Sequence, residues 1–193
     1  MSHPMQSTPS VAASIPGRDA ILRRTVAVVA GTVFVALAAQ VAVPLPGTAV
    51  PLTLQGLAVL LAGGLLGPVA GTGALVLYLA AGAAGLPVFA PVGVPGFARL
   101  LGPTGGYLLA FPVAAALVGT LAREGRLVRS VLAAFLGMLV IHAGGIAQLT
   151  ILTGDPGAAL LAGGLPFLAV DLVKVALAGL IIARFRARFH RTA

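Results

Sequence analysis

Cysteine, tryptophan and asparagine are absent from this chain, lysine occurs once, and only four residues are acidic. Without cysteine there is no disulfide framework and no thiolate metal site, and the redox compartment leaves no mark. Charged residues make up 8% of the 193 positions, against about 25% in a soluble domain. So few charges cannot cover a water-facing surface. The sequence has no defensible Ser-His-Asp set, no His/Glu/Asp cluster with metal-ligand spacing and no Walker ending. Any ATP-driven step therefore belongs to another chain.

What is present is apolar: 59% of residues are hydrophobic and the mean hydropathy is +1.10. This composition defines an all-α integral membrane protein of one compact domain. Apolar segments lie at about 25–43, 54–67, 69–86, 105–122, 130–152 and 165–183. The longer ones approach the roughly 20 residues that span a bilayer core. Residues 1–22, rich in Ser and Pro, are expected to be a disordered tail, and 23–193 to be the membrane domain. Arg23-Arg24, the apolar run and Ala36-Leu37-Ala38 loosely match a cleavable secretory signal. The run continues past that site to Val43, so this helix is expected to be kept.

The net charge is +8, and its placement excludes nucleic acid as a partner. Arg18, Arg23 and Arg24 precede the first apolar run, Arg123, Arg126 and Arg129 share one loop, and Arg184, Arg186, Arg188 and Arg191 form the tail. Basic clusters at the ends of apolar spans are topology anchors, in contact with anionic membrane lipid. With a cytoplasmic N-terminus, a hairpin of 54–86 around Gly67-Pro68 puts the arginine loop and the tail inside. A single span there would put both outside. The expected topology is therefore six transmembrane helices with both termini cytoplasmic. The structured outer loops are then 44–53, 87–104 and 153–164, and Arg99 is the lone outer cation. The 26 glycines and 14 prolines concentrate in these loops, which are apolar enough to wall and cover an outward-facing pocket.

Three constellations carry candidate chemistry. Asp171 and Lys174 lie three residues apart on one helical face, inside the last apolar stretch. A charge near mid-bilayer costs about 2.5–3.5 kcal/mol, so the pair is either a structural ion bridge or a ligand or proton site. Acceptor and donor side by side match a ligand bearing both N–H and C=O, such as a cyclic urea or amide. Thr53 and Gln55 open the second helix from the outer side, with Thr53 placed as an N-cap. The stretch Phe97 to Tyr107 holds Arg99, Gly102, Thr104, Gly105 and Gly106. The N–H groups of Thr104 to Tyr107 would start the fourth helix and favour an anionic ligand group. Arg99 is either a carboxylate partner or a snorkelling interfacial cation. Tyr78 and Tyr107, the only tyrosines, belong either to an interfacial belt or to a pocket wall. His142 and Gln148, six residues apart, do not share a face, and His142 reads more as a satisfied polar contact than as a ligand.

The segments Val50-Pro-Leu-Thr-Leu-Gln55, Gly85-Leu-Pro-Val-Phe89, Leu101-Gly-Pro-Thr-Gly-Gly-Tyr-Leu108 with Phe111, and Asp171-Leu-Val-Lys174 occur in that order. In this order they resemble the BioY family, the biotin-binding substrate subunits of energy-coupling factor (ECF) transporters. The resemblance covers about residues 25–185. It implies six helices, an outward-facing biotin pocket and no enzymatic activity or cofactor. It also implies partners: a membrane coupling subunit and ATPase subunits in a plasma membrane. By resemblance, Asp171 and Lys174 make polar contacts to biotin, Thr53 and Gln55 fall on the family's Thr and Gln, and Arg99 falls on its loop arginine. Thr104, Gly105, Gly106, Tyr107, Phe89 and Tyr78 complete the expected site, with Leu86, Pro87, Val88 and Phe89 as apolar wall. Some members carry a pocket asparagine; this chain has none, so Tyr78, Gln148 or a water is expected in its place. Small residues on the first helix, Ala27/Gly31 and Ala38/Ala42, suit either docking to a coupling subunit or packing within the bundle. The rival reading of the charged pair is a proton relay in a self-sufficient secondary transporter. An intramembrane enzyme and a ligand-free scaffold have less support in the residues.

Overall fold

In the computed structural model, which describes residues 17–189, the described residues are mostly helical. Helix α1 runs Arg18–Gln40, α2 Gln55–Ala83, α3 Ala98–Leu101, α4 Gly105–Leu121, α5 Leu127–Thr153, α6 Pro156–Gly163 and α7 Leu168–Phe189. Helix α1 takes in residues 18–22, which composition alone assigns to the tail; residues 1–16 lie outside the described residues. Helices α1, α2, α5 and the run Pro156–Arg186 are each long and apolar enough to cross a membrane, and α4 is shorter. Helices suit this composition because in lipid every backbone polar group must find its partner within its own segment.

Helix α2 is a hairpin. A straight helix would put Gln55 and Tyr78 about 35 Å apart at 1.5 Å per residue. Yet Gln55 Nε2 lies 2.5 Å from Tyr78 Oη. The chain reverses at Gly67, whose φ of 84° and ψ of 175° are open only to glycine, and Pro68 then starts the return arm. The arms 55–66 and 68–83 touch backbone to backbone: a Cβ on Gly71 would stand 2.8 Å from Gly63 Cα. The break leaves the Gly64 carbonyl open, and Arg186 Nε on α7 donates to it at 2.6 Å. The bundle therefore has six helical legs: α1, the two arms of α2, α4, α5 and α7. The hairpin α2 packs against α4 and α1, and α5 joins α4 to α7. Gly31 packs against Leu66 and Ala74 of α2, so within Ala27/Gly31 the glycine closes this bundle.

The loops gather at the end opposite the Gly67 reversal. Ala42–Val43 pairs antiparallel with Leu52–Thr53 as a two-stranded ribbon, the one departure from an all-α reading among the described residues. The 153–164 connection contains α6. Gly154 ends α5 in the left-handed region at φ 73°, and Asp155 then caps α6 by accepting from the Gly157 and Ala158 N–H groups. Gln40 Nε2 donates to the Phe89 carbonyl at 3.3 Å, tying the 84–97 segment to the top of α1.

Candidate functional site

The loop-rich end closes over a cavity with about 650 Å³ of atom-free space, its mouth included. The 44–53 connection and the start of α2 supply Val50, Pro51, Thr53 and Gln55; the segment between α2 and α4, α3 included, supplies Phe89, Ala90, Arg99 and Thr104. Helix α4 adds Tyr107, Leu108 and Phe111, α5 adds Met138, Ile141 and His142, and Phe167 closes one side. Asp171 and Lys174 come from the first turns of α7, next to the loop-rich end.

The charged pair is buried, each residue 6% exposed. Lys174 Nζ donates to Asp171 Oδ1 at 2.6 Å. The second carboxylate oxygen, Oδ2, lies 2.9 Å from His142 Nε2 of α5. The ring is turned off the line of a straight N–H···O bond, and His142 Nδ1 is likewise buried without a hydrogen-bond partner. Tyr107 and Phe167 flank the imidazole, with ring centroids at 6.1 and 6.3 Å. Tyr107 is itself fixed by its hydroxyl, which donates to the Gly163 carbonyl at 2.7 Å.

Arg99 is no snorkelling cation. It is 6% exposed, and its two terminal nitrogens donate to the Val92 and Ala90 carbonyls. Burial pulls its pKa below the ordinary value, but a guanidinium starts so high that it stays charged. It clamps the 84–97 segment while lining the cavity. Removing it in Arg99→Ala should speed chymotryptic cleavage within 84–97 roughly tenfold, the weight of a charge-assisted hydrogen bond. Arg99→Lys should restore little, because an ammonium lacks the fork that holds two carbonyls. Limited proteolysis reads this directly, and unchanged cleavage in Arg99→Ala would refute the clamp.

The remaining expected residues divide. Thr53 and Gln55 line the cavity, but Thr53 sits in the ribbon, not at an N-cap. Its hydroxyl still accepts the Gln55 N–H at 3.3 Å. Thr104 lines the cavity with a buried hydroxyl that has no partner. Gly105 and Gly106 do not line it. A Cβ on Gly106 would stand 2.7 Å from Gln148 Cβ and 2.8 Å from the Gly144 carbonyl carbon, so Gly106 allows close α4–α5 contact, while a Cβ on Gly105 would meet the Leu100 carbonyl of α3. Tyr78 is fully buried behind Gln55, outside the lining. Gln148 donates to the Leu100 and Gly102 carbonyls at 3.0 and 2.7 Å, and so anchors α3 instead of facing the cavity. Of the expected apolar wall only Phe89 lines the space, while Leu86 is 57% exposed.

His142, Met138, Ile141 and Phe111 enter the lining without having been singled out as site residues. Phe111 had a signal, one helical turn after Tyr107. Met138, Ile141 and His142 share a face by the same spacing, but nothing in the sequence says that this face meets Asp171. Among the described residues no group of three metal-ligating side chains occurs.

An apolar helical bundle with a mixed apolar and charged cavity beneath its loops has the form of a membrane protein with a small-molecule site. A sequence model of the BioY family matches residues 5–191. The chain belongs to the BioY family. A probable biotin transporter BioY from Pyrococcus horikoshii is 43% identical over 137 residues, spanning 71% of this chain and 81% of that one. The biotin transporter BioY of Thermotoga maritima is 37% identical over 156 residues, 80% and 90% of the two chains. The crystal structure of the S-component for biotin from an ECF-type ABC transporter superposes with a TM-score of 0.81. It shares 26% identity and covers 90% of this chain and 95% of its own.

Proposed function

We propose that this chain is the biotin-binding S component of an ECF transporter in a prokaryotic plasma membrane. It captures biotin from outside and delivers it inward with a coupling membrane subunit and ATPases. The carrying observation is the buried Asp171–Lys174 pair lining a largely apolar cavity that also holds Arg99 and Thr104. In a cyclic urea each N–H lies beside the C=O, so one such edge fits a neighbouring acceptor and donor: Asp171 takes the N–H and Lys174 serves the carbonyl. The bicyclic ring and valeryl chain pack on Phe89, Phe111 and Ile141. The carboxylate faces Arg99 and the unpartnered Thr104 hydroxyl. Thr53 and Gln55 line the same cavity.

In this reading the six helical legs are six transmembrane helices with both termini cytoplasmic. The loop-rich end, held by Arg99 and Gln148, is then the outer face. The basic ends 18–24, 123–129 and 184–191 support the same orientation.

Labelled biotin titrated onto the purified chain in nanodiscs tests the binding step, and the expected result is saturable, one-to-one binding. Absence of binding by the wild-type chain would remove the proposal. Reconstituted alone, the chain should bind without transporting. Biotin uptake by the chain alone that an uncoupler abolishes would instead establish a proton-coupled secondary transporter.

A further inference from the structure

His142 is a polar group of the cavity wall that the biotin reading leaves without a task. It sits on α5 with Nε2 at 2.9 Å from Asp171 Oδ2, while Lys174 on α7 holds Oδ1. Two bare acceptors would repel at that distance, so one of the two atoms carries a proton, held off the straight line between them. If the carboxylate carried it, Lys174 would lose its counter-charge. A second proton on the ring would leave the cluster with a net positive charge away from water. The charged and titratable groups around the ring are Asp171 and Lys174 on α7, Tyr107 on α4 and, across the cavity, Arg99 on α3. The arrangement that keeps this cluster balanced is a neutral imidazole bearing its proton on Nε2.

The two donors to Asp171 act differently. Lys174 reaches from the same helix and holds one oxygen, which leaves the carboxylate free to turn about that contact. His142 reaches from a different helix and locates the second oxygen, which sets the plane. Each carboxylate oxygen has two acceptor sites, so each keeps one for a ligand. A buried imidazole whose Nε2 is imperfectly aimed and whose Nδ1 is partnerless is an unusual thing to retain for packing alone.

We propose that His142 is a positioning residue for ligand recognition: its Nε2–H fixes the plane of the Asp171 carboxylate so that an open acceptor site faces the ureido N–H. This rests on the biotin reading. The role separates from that of an aromatic filler between Tyr107 and Phe167, because shape and N–H donation can be exchanged one at a time.

The experiment titrates labelled biotin onto four purified full-length proteins in nanodiscs, each with a thermal melt: wild type, His142→Phe, His142→Gln and His142→Ala. His142→Phe keeps the ring and removes the donor. It should melt near wild type and bind on the order of tenfold more weakly, the weight of one hydrogen bond to a charged group. His142→Gln replaces the ring with an amide donor and should recover most of the affinity. Phenylalanine binding as tightly as glutamine, or glutamine no better than alanine, overturns the proposal. If His142→Phe fails to fold, the glutamine and alanine variants decide in the same way. Failure of the wild type to bind overturns the biotin reading and this inference with it; wild-type binding with equal phenylalanine and glutamine variants overturns this inference alone.

Discussion

Asp171→Asn should weaken biotin binding by about 100-fold, or about 3 kcal/mol, because it removes the charged acceptor of the ureido N–H. It should also destabilise the bundle. Lys174 is 6% exposed, and stripping a buried ion of its partner costs about 3–5 kcal/mol. These two losses have different remedies. In Asp171→Asn/Lys174→Met the orphaned ammonium is gone, so the melting temperature should return most of the way to that of the wild type. Binding should not return, since neither the charged acceptor nor the donor remains. Thermal melting and labelled-biotin titration on the same samples separate the two quantities. Recovery of binding along with stability would show that the pair is a structural bridge.

Gly106→Ala should be far more damaging than Gly102→Ala, at about 2–3 kcal/mol for overpacking against rigid neighbours. The added Cβ meets the Gly144 carbonyl group and Gln148 Cβ, and backbone cannot step aside as a flexible side-chain end does. Separating α4 from α5 also shifts Tyr107 on one helix and His142 on the other, so biotin binding should weaken in step. Gly102→Ala is the internal control. Its Cβ would find only the Arg99 and Ala98 carbonyls at 3.6 and 3.7 Å, ordinary contact distances, and its φ of −88° suits alanine. It should stay within about 0.5 kcal/mol of the wild type. Melting of the two variants side by side decides the matter, and equal effects would refute the close-packing account.

The contrast between these glycines shows where sequence reasoning reached its limit. The Gly-Pro-Thr-Gly-Gly-Tyr run is conspicuous, and a helix start rich in free N–H groups suggests an anion site. In the structure Gly105 N–H is already bonded to the Gly102 carbonyl at 3.0 Å; Gly105 packs against the Leu100 carbonyl of α3, and Gly106 turns toward α5. Their motif neighbours Thr104 and Tyr107 face the cavity instead. Adjacent residues on a helix point about 100° apart, so a motif read as one unit splits between two jobs.

Hairpin formation at Gly67-Pro68 was legible because it rests on charge parity and on two residues with strong backbone preferences. The charged pair was legible because an ion in an apolar helix is costly wherever that helix sits. The helix in 153–164 also left a local trace, the Gly-Asp-Pro run that ends α5 and caps α6. The clamp by Arg99 and the anchor by Gln148 left none, because their acceptors are backbone carbonyls, and any residue carries one.

From the sequence alone come the membrane character, the hairpin, the basic and loop-rich ends, and the chemistry of Asp171 and Lys174. Each depends on composition or on spacing within one segment, where solvent transfer and backbone preference act locally. The tertiary structure alone decided which faces meet. It set His142 against Asp171 across 29 positions of sequence, turned Gly106 away from the cavity, and bent Arg99 onto Ala90 and Val92. Such pairings arise from how close two helices can pack, and that depends on the small residues of both helices at once.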